Sequence, residues 1–513
     1  MILINASTQT AKRMFEPFLP HGIPFGLASL YAVLKHNGRE AFLLDEQMTG
    51  DSFHHIVQRF PDRNLPYIFG ISVLTASYRR ALELASSLKT YYPNSKIIFG
   101  GVHPSAVPEE VLANEQVDLV ARGEMDGHIV ALQDAIAENK SLDDIPNLYY
   151  RSDGKVVRTP GKAAPVDLNS LPPLPYDIFT HPRYNLGVVT TSRGCPQHCI
   201  FCSHRVITER HYRFRNAALV VDDIELLYNQ YHQTHILFVD DTLLVNKQRV
   251  YELLDELRRR DLVGKIEYGF QARADNVDEA ILKALYAHGF RGVAFGIETG
   301  CDRMMQVIQK GETVQQCYEA VRLAKKVGFH VSATFIFGLP TETHAERMES
   351  VRLAKKVGVD RARFNNATPY PGTKLNEMAK ADGGLRVVGL YENFLTVSAI
   401  VDNPFRRIPF SYVPPGATEQ EIRNDIFFAY LCVYLNARKL KAMFSRMSGV
   451  RKRFSNPGNP VLKRIGRILD FCHLNTMLAV KVVSLLVHFI TGKDCAIDRK
   501  DLELVFLKED PLA

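Results

Sequence analysis

Cysteine is scarce, with eight residues in a chain of 513, far too few for a disulfide scaffold. The opening residues, MILINASTQTAKRMF, lack an apolar stretch long enough for a signal peptide. There is no repeat and no low-complexity segment. A hydrophobic fraction of 46% with 23% charged residues excludes bulk disorder, collagen and coiled coil. The expected setting is reducing and cytoplasmic, where clustered cysteines are ligands rather than bridges. Acid is also missing in one place: residues 426–469 contain none, yet carry ten Lys and Arg, from Arg438 to Arg467. The net charge is only +7, so the rest of the chain is slightly acidic. A local basic field draws phosphates, nucleic acid or an anionic lipid surface, and a solvated helical face is the plain alternative. No run is long enough to span a membrane. The apolar stretch 476–492 falls short of the roughly 20 residues required and holds Lys481 and His488. It fits a membrane-interface helix, a cap on a greasy substrate, or a buried helix packing on a barrel.

What is present is alternation. Apolar β-rich runs at 2–5, 40–45, 67–73, 96–101 and 117–124 alternate with helical patterns, the signature of a parallel sheet covered on both faces. Such sheets bind ligands beyond the carboxyl ends of their strands, here Asn5–Thr10, Ser72–Ser77 and Gly100–Pro104. NLYYRSDGKVVR reads as a hairpin turning at Asp153-Gly154. Six prolines within 159–187 mark a linker. Six further strands are expected at 187–192, 236–241, 266–271, 293–298, 331–338 and 362–367. They suggest a (β/α)6 partial barrel with active residues at the strand C-termini. The fold class is α/β. Expected boundaries are 1–145 for a Rossmann-like domain, 146–186 for hairpin and linker, 187–384 for the barrel, and 385–513 for a mostly helical region.

The strongest chemical signal is Ser192-Arg193-Gly194-Cys195-Pro196-Gln197-His198-Cys199-Ile200-Phe201-Cys202. A structural zinc site wants four ligands, usually as two pairs. The remaining cysteines, Cys301, Cys317, Cys432, Cys472 and Cys495, are scattered and form no second pair. Three thiolates on one loop suit a four-iron cluster whose fourth iron stays open to chelate an amine and a carboxylate.

This spacing, with aromatic Phe201 before the last cysteine, resembles the radical S-adenosylmethionine (SAM) superfamily. FVDDTLLVNKQRV, GFQARADNVDE, GIETGCDRMMQVIQKGET, FIFGLPTET and PYPGTKL resemble successive barrel motifs of the subgroup with an N-terminal cobalamin-binding domain. GISVLTASYRRA, GGVHPSAVPEEVL and DLVARGEMDG resemble that domain itself. The resemblance covers roughly residues 65–375 and implies class B radical SAM methyltransferase-like chemistry. Its cofactors would be a [4Fe–4S] cluster, SAM and cobalamin.

The resemblance implies roles residue by residue. Cys195, Cys199 and Cys202 would hold the cluster. Phe201 would flank the cofactor. Asp240 and Asp241, ending the second strand, would accept from the SAM ammonium; a helix N-cap is the alternative for Asp241. Arg273 would pair with its carboxylate, or form an ion pair at the barrel mouth. Glu298 would contact methionine or ribose. Gly338 would admit adenine or ribose close to the backbone, or simply turn strand into helix. Ser72, Thr75 and Ser77 would bond corrin side chains or the nucleotide tail, which would pass Gly100 and Gly101 near His103. The Asp-x-His-x-x-Gly motif of mutase-type cobalamin domains is absent. The Asn5–Pro20 loop has no histidine, and Asp45–Gly50 matches the spacing only by chance. Cobalt would therefore be held without a lower histidine, and a domain that has lost the cofactor is the alternative.

The implied reaction is methylation of an unactivated carbon through a 5′-deoxyadenosyl radical; ring formation or skeletal rearrangement is the second reading. The expected partners are a small-molecule or lipid-like, hydrophobic or anionic substrate and an external one-electron reductant. A peripheral contact with the inner face of an anionic membrane is also expected, and nucleic acid is not. An RNA methylthiotransferase would normally have a cysteine-bearing N-terminal domain, whereas residues 1–194 hold no cysteine. A non-catalytic sensor would not need the intact barrel motifs.

Overall fold

The computed structural model describes residues 1–8, 21–396, 407–435 and 480–508. The basic stretch Arg438–Arg467, most of the Asn5–Pro20 loop and residues 476–479 lie outside the described residues.

The N-terminal sheet contains β1 (Ile2–Asn5), β2 (Phe42–Asp45), β3 (Ile68–Ser72), β4 (Lys96–Gly100) and β5 (Leu119–Ala121), all parallel. A hairpin, β6 (Leu148–Ser152) and β7 (Lys155–Arg158), extends it antiparallel. The strand order is β2-β1-β3-β4-β5-β6-β7. The chain thus starts mid-sheet, turns outward one way to β2, and resumes on the other side of β1 at β3. The β1/β3 boundary is the topological switch point, where such sheets open a crevice for ligands. Alternation along β1 feeds two cores. Ile2 and Ile4 join a cluster with Ile56, Tyr78, Leu84 and Leu88, while Leu3 joins Leu27, Leu34, Ile129 and Leu132 on the opposite face. The hairpin turns as expected, with φ of 50° at Asp153 and 74° at Gly154, matching the twist of the flanking strands.

The second sheet holds β8 (Val188–Val189), β9 (His235–Phe238), β10 (Glu267–Ala272), β11 (Phe290–Glu298), β12 (His330–Phe337) and β13 (Arg361–Asn366). They are all parallel and in sequence order, as a (β/α)6 partial barrel requires. One expectation needs correction: the first strand does not run through 187–192 but stops at Val189. The buried Asp240 carboxylate accepts from the Thr191 N–H (2.9 Å) and from the Thr191 and Ser192 hydroxyls (3.0 and 2.6 Å). Those bonds replace the ladder, and Ser192–Arg193 instead pairs antiparallel with Arg213–Phe214.

A partial barrel leaves an open edge, which is a pairing hazard. Helix α1 (Glu419–Tyr434) covers it. The Tyr430 hydroxyl accepts from the Phe364 N–H (3.1 Å), and the Tyr434 hydroxyl from the Ala362 N–H (3.0 Å). A further helix, residues 480–491, packs Val482, Leu485 and Phe489 onto the barrel's core. Among the described residues, no helix is long and apolar enough to cross a membrane.

The carboxyl ends of the two sheets meet. Arg193 and Arg213, beside the cysteine loop, reach Asp126 (2.9 Å) and Glu124 (2.7 Å), just past β5. Tyr184 of the linker donates to Asp45 at the end of β2 (2.9 Å).

Candidate active site

Cys195, Cys199 and Cys202 lie on the loop that leaves the short first barrel strand. The Cys202 N–H donates to the Cys199 carbonyl (3.2 Å), and the Ile200 N–H to the Ile308 carbonyl (3.1 Å), tying the loop to the β11 side of the mouth. Burial raises all three thiols, Cys202 to about 11. At Cys199 the Lys310 and Arg273 cations oppose that rise. Among the described residues, no three metal-binding side chains converge closely enough for a single ion. A cubane differs, because each thiolate sits on a separate iron. Three soft sulfur donors facing two cations fit such an anionic cluster, and its binding would release the thiol protons.

The mouth beside the thiols is a buried charge cluster. Lys310 is 5% exposed, with its Nζ 3.7 Å from Glu298 and 3.5 Å from Glu312. Burial pulls the Lys310 ammonium down, but the two carboxylates and Cys199 outweigh it and raise the group. Burial raises Glu298 despite Lys310. Glu298 also sits at φ 70° and interrupts the β11–β12 register, a conformation that costs on the order of 1–3 kcal/mol and clusters at functional sites. Its carboxylate folds back over Gly296, where a Cβ would lie 2.5 Å from Oε1. A side chain at 296 would push the Glu298 carboxylate out of that position.

The other expected residues fall as follows. Asp240 braces the Thr191–Ser192 backbone and is 2% exposed, with Oδ2 unpartnered. Asp241 accepts from the Gly194 N–H (3.1 Å) and pairs with His204 (2.7 Å); it caps no helix, since Thr242 precedes the short turn at Leu243–Val245 and Asn246 caps the α-helix after it. Arg273 forks onto Asp275 (3.0 and 2.8 Å) and donates to the Lys310 carbonyl (2.8 Å), the ion-pair alternative raised by the sequence. Gly338, at φ 78°, faces Ile422 of α1, which a Cβ would approach to 3.1 Å. Its N–H donates to the buried Glu342 carboxylate (2.6 Å), which fixes the turn from strand to helix. Phe201 lines a cavity of about 80 Å³ together with Ile336, Asn365, Asn366, Tyr370 and Thr396. Asn365 Oδ1 is buried there without a partner among the described residues.

Sequence reasoning missed Lys310, Glu312 and Asn365. Lys310-Gly311-Glu312 closes the GIETG…QKGET motif, so two charges flanking a glycine in a barrel motif were the available signal. Asn365 carried none.

On the N-terminal domain, Ser72 and Thr75 flank the switch point, and the Thr75 side chain is buried. The Ser7 hydroxyl, just past β1, is buried with no partner among the described residues, an orphan that an incoming amide or phosphate would satisfy. Ser77 instead bonds the Leu74 N–H (3.0 Å) and carbonyl (3.1 Å), closing its own turn. Gly101, at φ 97°, crosses β3 so tightly that a Cβ would lie 3.0 Å from the Val73 carbonyl oxygen, whereas Gly100 is uncrowded. His103 is fully buried between Tyr78 (4.3 Å) and Tyr391 (5.0 Å). Neither ring nitrogen has a partner among the described residues, and burial lowers it to about 4, keeping it neutral. The orphaned Ser7 hydroxyl beside the switch point fits a cobalamin tail.

Residues 189–380 match the radical SAM superfamily model, and residues 17–133 match the B12 binding domain model. A protein named as an uncharacterized methyltransferase, from Pyrococcus horikoshii, is 31% identical over 84% of this chain and 92% of its own. An anaerobic magnesium-protoporphyrin IX monomethyl ester cyclase from Rubrivivax gelatinosus is 27% identical over 68% of this chain and 64% of its own. The solved structure of OxsB, a cobalamin-dependent SAM radical enzyme, shares the fold at 17% identity and TM-score 0.67, covering 98% of this chain and 83% of that one.

Proposed function

Because the chain belongs to the radical SAM enzymes that carry a B12-binding domain, we propose that it methylates an unactivated carbon of a hydrophobic or anionic, lipid-like or natural-product substrate. The [4Fe–4S] cluster and SAM belong with the radical SAM domain, and cobalamin with the B12-binding domain. When bound, the cluster supplies the electron that splits SAM to a 5′-deoxyadenosyl radical, and cobalamin supplies the methyl group; an external one-electron reductant replenishes the electron. Cys195, Cys199 and Cys202 hold the cluster. Lys310 faces the SAM carboxylate, and Glu298 takes the ammonium or a ribose hydroxyl. The nucleoside lies in the Phe201–Asn365 cavity, where Asn365 Oδ1 can accept from the exocyclic amine. Ser7, Ser72, Thr75 and Gly100 line the cobalamin tail, and residues 1–145 and 187–384 are the two cofactor domains.

The observation that carries this reading is three thiols beside a buried cluster of paired charges where the carboxyl ends of both sheets meet. A charged amino acid moiety needs paired partners once water is excluded. The test is anaerobic reconstitution with iron, sulfide and cobalamin, followed by reduction with SAM present. The ultraviolet–visible spectrum should show cluster and cobalamin together, and 5′-deoxyadenosine should form. Absence of 5′-deoxyadenosine from cluster-loaded protein would overturn the reading. The cyclase relative favours a second outcome, ring formation; label from SAM methyl would then stay out of the product.

A further inference from the structure

His344 joins three elements of the fold. It opens the helix His344–Lys356 that follows β12. Its Nδ1 lies 3.0 Å from the Asp425 carboxylate on α1, and its Nε2 lies 3.0 Å from the Asp501 carboxylate on the terminal segment. A carboxylate only accepts, so a ring bonded to both carries a proton on each nitrogen and a positive charge. Arg347, one turn on, donates to the same Asp425 oxygen (2.6 Å). Asp425 is fully buried, and its Oδ1 has no partner among the described residues.

The two carboxylates are not equally held. Asp425 sits in a helix whose Tyr430 and Tyr434 are bonded to β13, and Arg347 pairs with it whatever the state of the ring. Asp501 is 13% exposed at its side chain and belongs to a segment near the chain end. Its segment is also tied down by Lys355, which donates to the Val505 carbonyl (2.6 Å), by Asn424, which donates to the Asp494 carbonyl (2.9 Å), and by buried Ile497 and Leu504. Once the ring gives up one proton, one carboxylate faces a lone pair instead of an N–H, and burial makes that contact costly. Asp425 cannot turn away; Asp501 can. We propose that His344 is a pH-sensitive clasp, which releases the terminal segment 493–508 from α1 and the helix His344–Lys356 when its ring becomes neutral. The device is independent of the chemistry assigned to the barrel mouth.

The neighbours set the sign. Burial pulls the ring down, but Asp425 and Asp501 outweigh it and raise it. Clasping is therefore complete below the unfolded value of about 6.5 and is lost as pH rises through the higher folded value. Arg347 and Lys355 on the same helix stay cationic throughout. Glu421 and Cys432 on α1, and Cys495 and Asp498 on the terminal segment, complete the surroundings. Burial raises both thiols, Cys432 to about 12, so they stay uncharged at neutral pH. Glu342, just before the helix, is the competing group, since burial raises its carboxyl to about 8 beside Arg347.

The experiment follows amide hydrogen exchange in full-length, cluster-loaded protein, expressed as protection relative to the unstructured rate at each pH. Protection of residues 493–508 should hold from about pH 5.5 to about 6.5, then fall at least about fivefold by about pH 9 while α1 keeps its own. His344→Gln should lower protection of the segment at about pH 6 and leave it flat with pH. Asp501→Asn keeps the acceptor and removes one charge, so the loss should move to lower pH. Protection that does not change with pH overturns the proposal. So does a loss that His344→Gln retains, which would belong to Glu342, or a midpoint that Asp501→Asn leaves in place. A protein that releases the segment but makes no 5′-deoxyadenosine would keep this proposal and sink the catalytic one.

Discussion

Arg193 stands two residues before Cys195 and holds the cysteine loop to the N-terminal domain. Its guanidinium forks onto Asp126 (2.9 and 3.2 Å), touches Glu124 (3.3 Å), and donates to the Ser29 hydroxyl (3.0 Å). Asp126 is 7% exposed and Arg193 is 26% exposed at its side chain. Replacing Arg193 by glutamine leaves Asp126 buried with only Ser29 beside it. Breaking a buried pair from one side costs about 3–5 kcal/mol, and the partial exposure of Arg193 argues for about 3 kcal/mol here. At about 2 kcal/mol per molar urea, the midpoint at which the domains part should fall by about 1.5 M. Pulse proteolysis of the 159–187 linker in urea reads that midpoint. The exposed pair Arg39–Asp134 is the control, where Arg39→Gln should cost under about 1 kcal/mol.

The pH dependence adds a signature. Burial opposes ionisation of Asp126, but Arg193 and Ser29 outweigh it and hold the carboxyl below its usual range. In the parent, that stabilisation is complete above the unfolded pKa of about 4 and is lost as pH falls through the lower folded value. Without Arg193, burial dominates and the folded pKa rises above the unfolded one. The variant is then penalised at neutral pH and recovers as pH falls. Its deficit should shrink between about pH 7.5 and 5. A deficit under about 0.3 M urea, or one independent of pH, would refute the account.

Replacing Cys195, Cys199 and Cys202 together by alanine should remove essentially all reconstituted iron; retention of about four irons per chain would sink the assignment. Gly101→Ala must hold a φ of 97° with its Cβ 3.0 Å from the Val73 carbonyl oxygen, so cobalamin retained through gel filtration should drop while iron content stays constant. Lys310→Gln should weaken SAM binding to the cluster-loaded protein about tenfold or more, the effect of losing a charge-assisted bond; equilibrium dialysis checks it, and an unchanged Kd would remove Lys310 from the site. Electron paramagnetic resonance of the Co(II) form should lack nitrogen splitting from a lower protein ligand, since residues 5–20 contain no histidine and His103 is enclosed by two tyrosines.

By itself, the sequence determined the two α/β layers, the hairpin at Asp153-Gly154 and the cysteine loop. These rest on short-range properties: strand and helix periodicity, a turn pair, and covalent spacing. The resemblance to cobalamin-dependent radical SAM enzymes also lies in linear motifs, so it too was visible without coordinates. Tertiary structure alone decided what distance along the chain conceals. The β2-β1-β3 order that opens the switch point depends on crossovers, not on any strand's own residues. Lys310 and Glu312 stand in a recognisable motif, but only the helix Asp302–Val307 and the turn after it bring Lys310 to 3.7 Å from Glu298. Arg273 is engaged by Asp275, two residues away, because the strand end curls back on itself. The first barrel strand stops at Val189 because Asp240, some fifty residues on, takes its hydrogen bonds. Arg193 and Asp126, sixty-seven residues apart, meet only when two independently patterned sheets dock. Burial and pairing of charges depend on which distant segments meet, and composition carries no record of that.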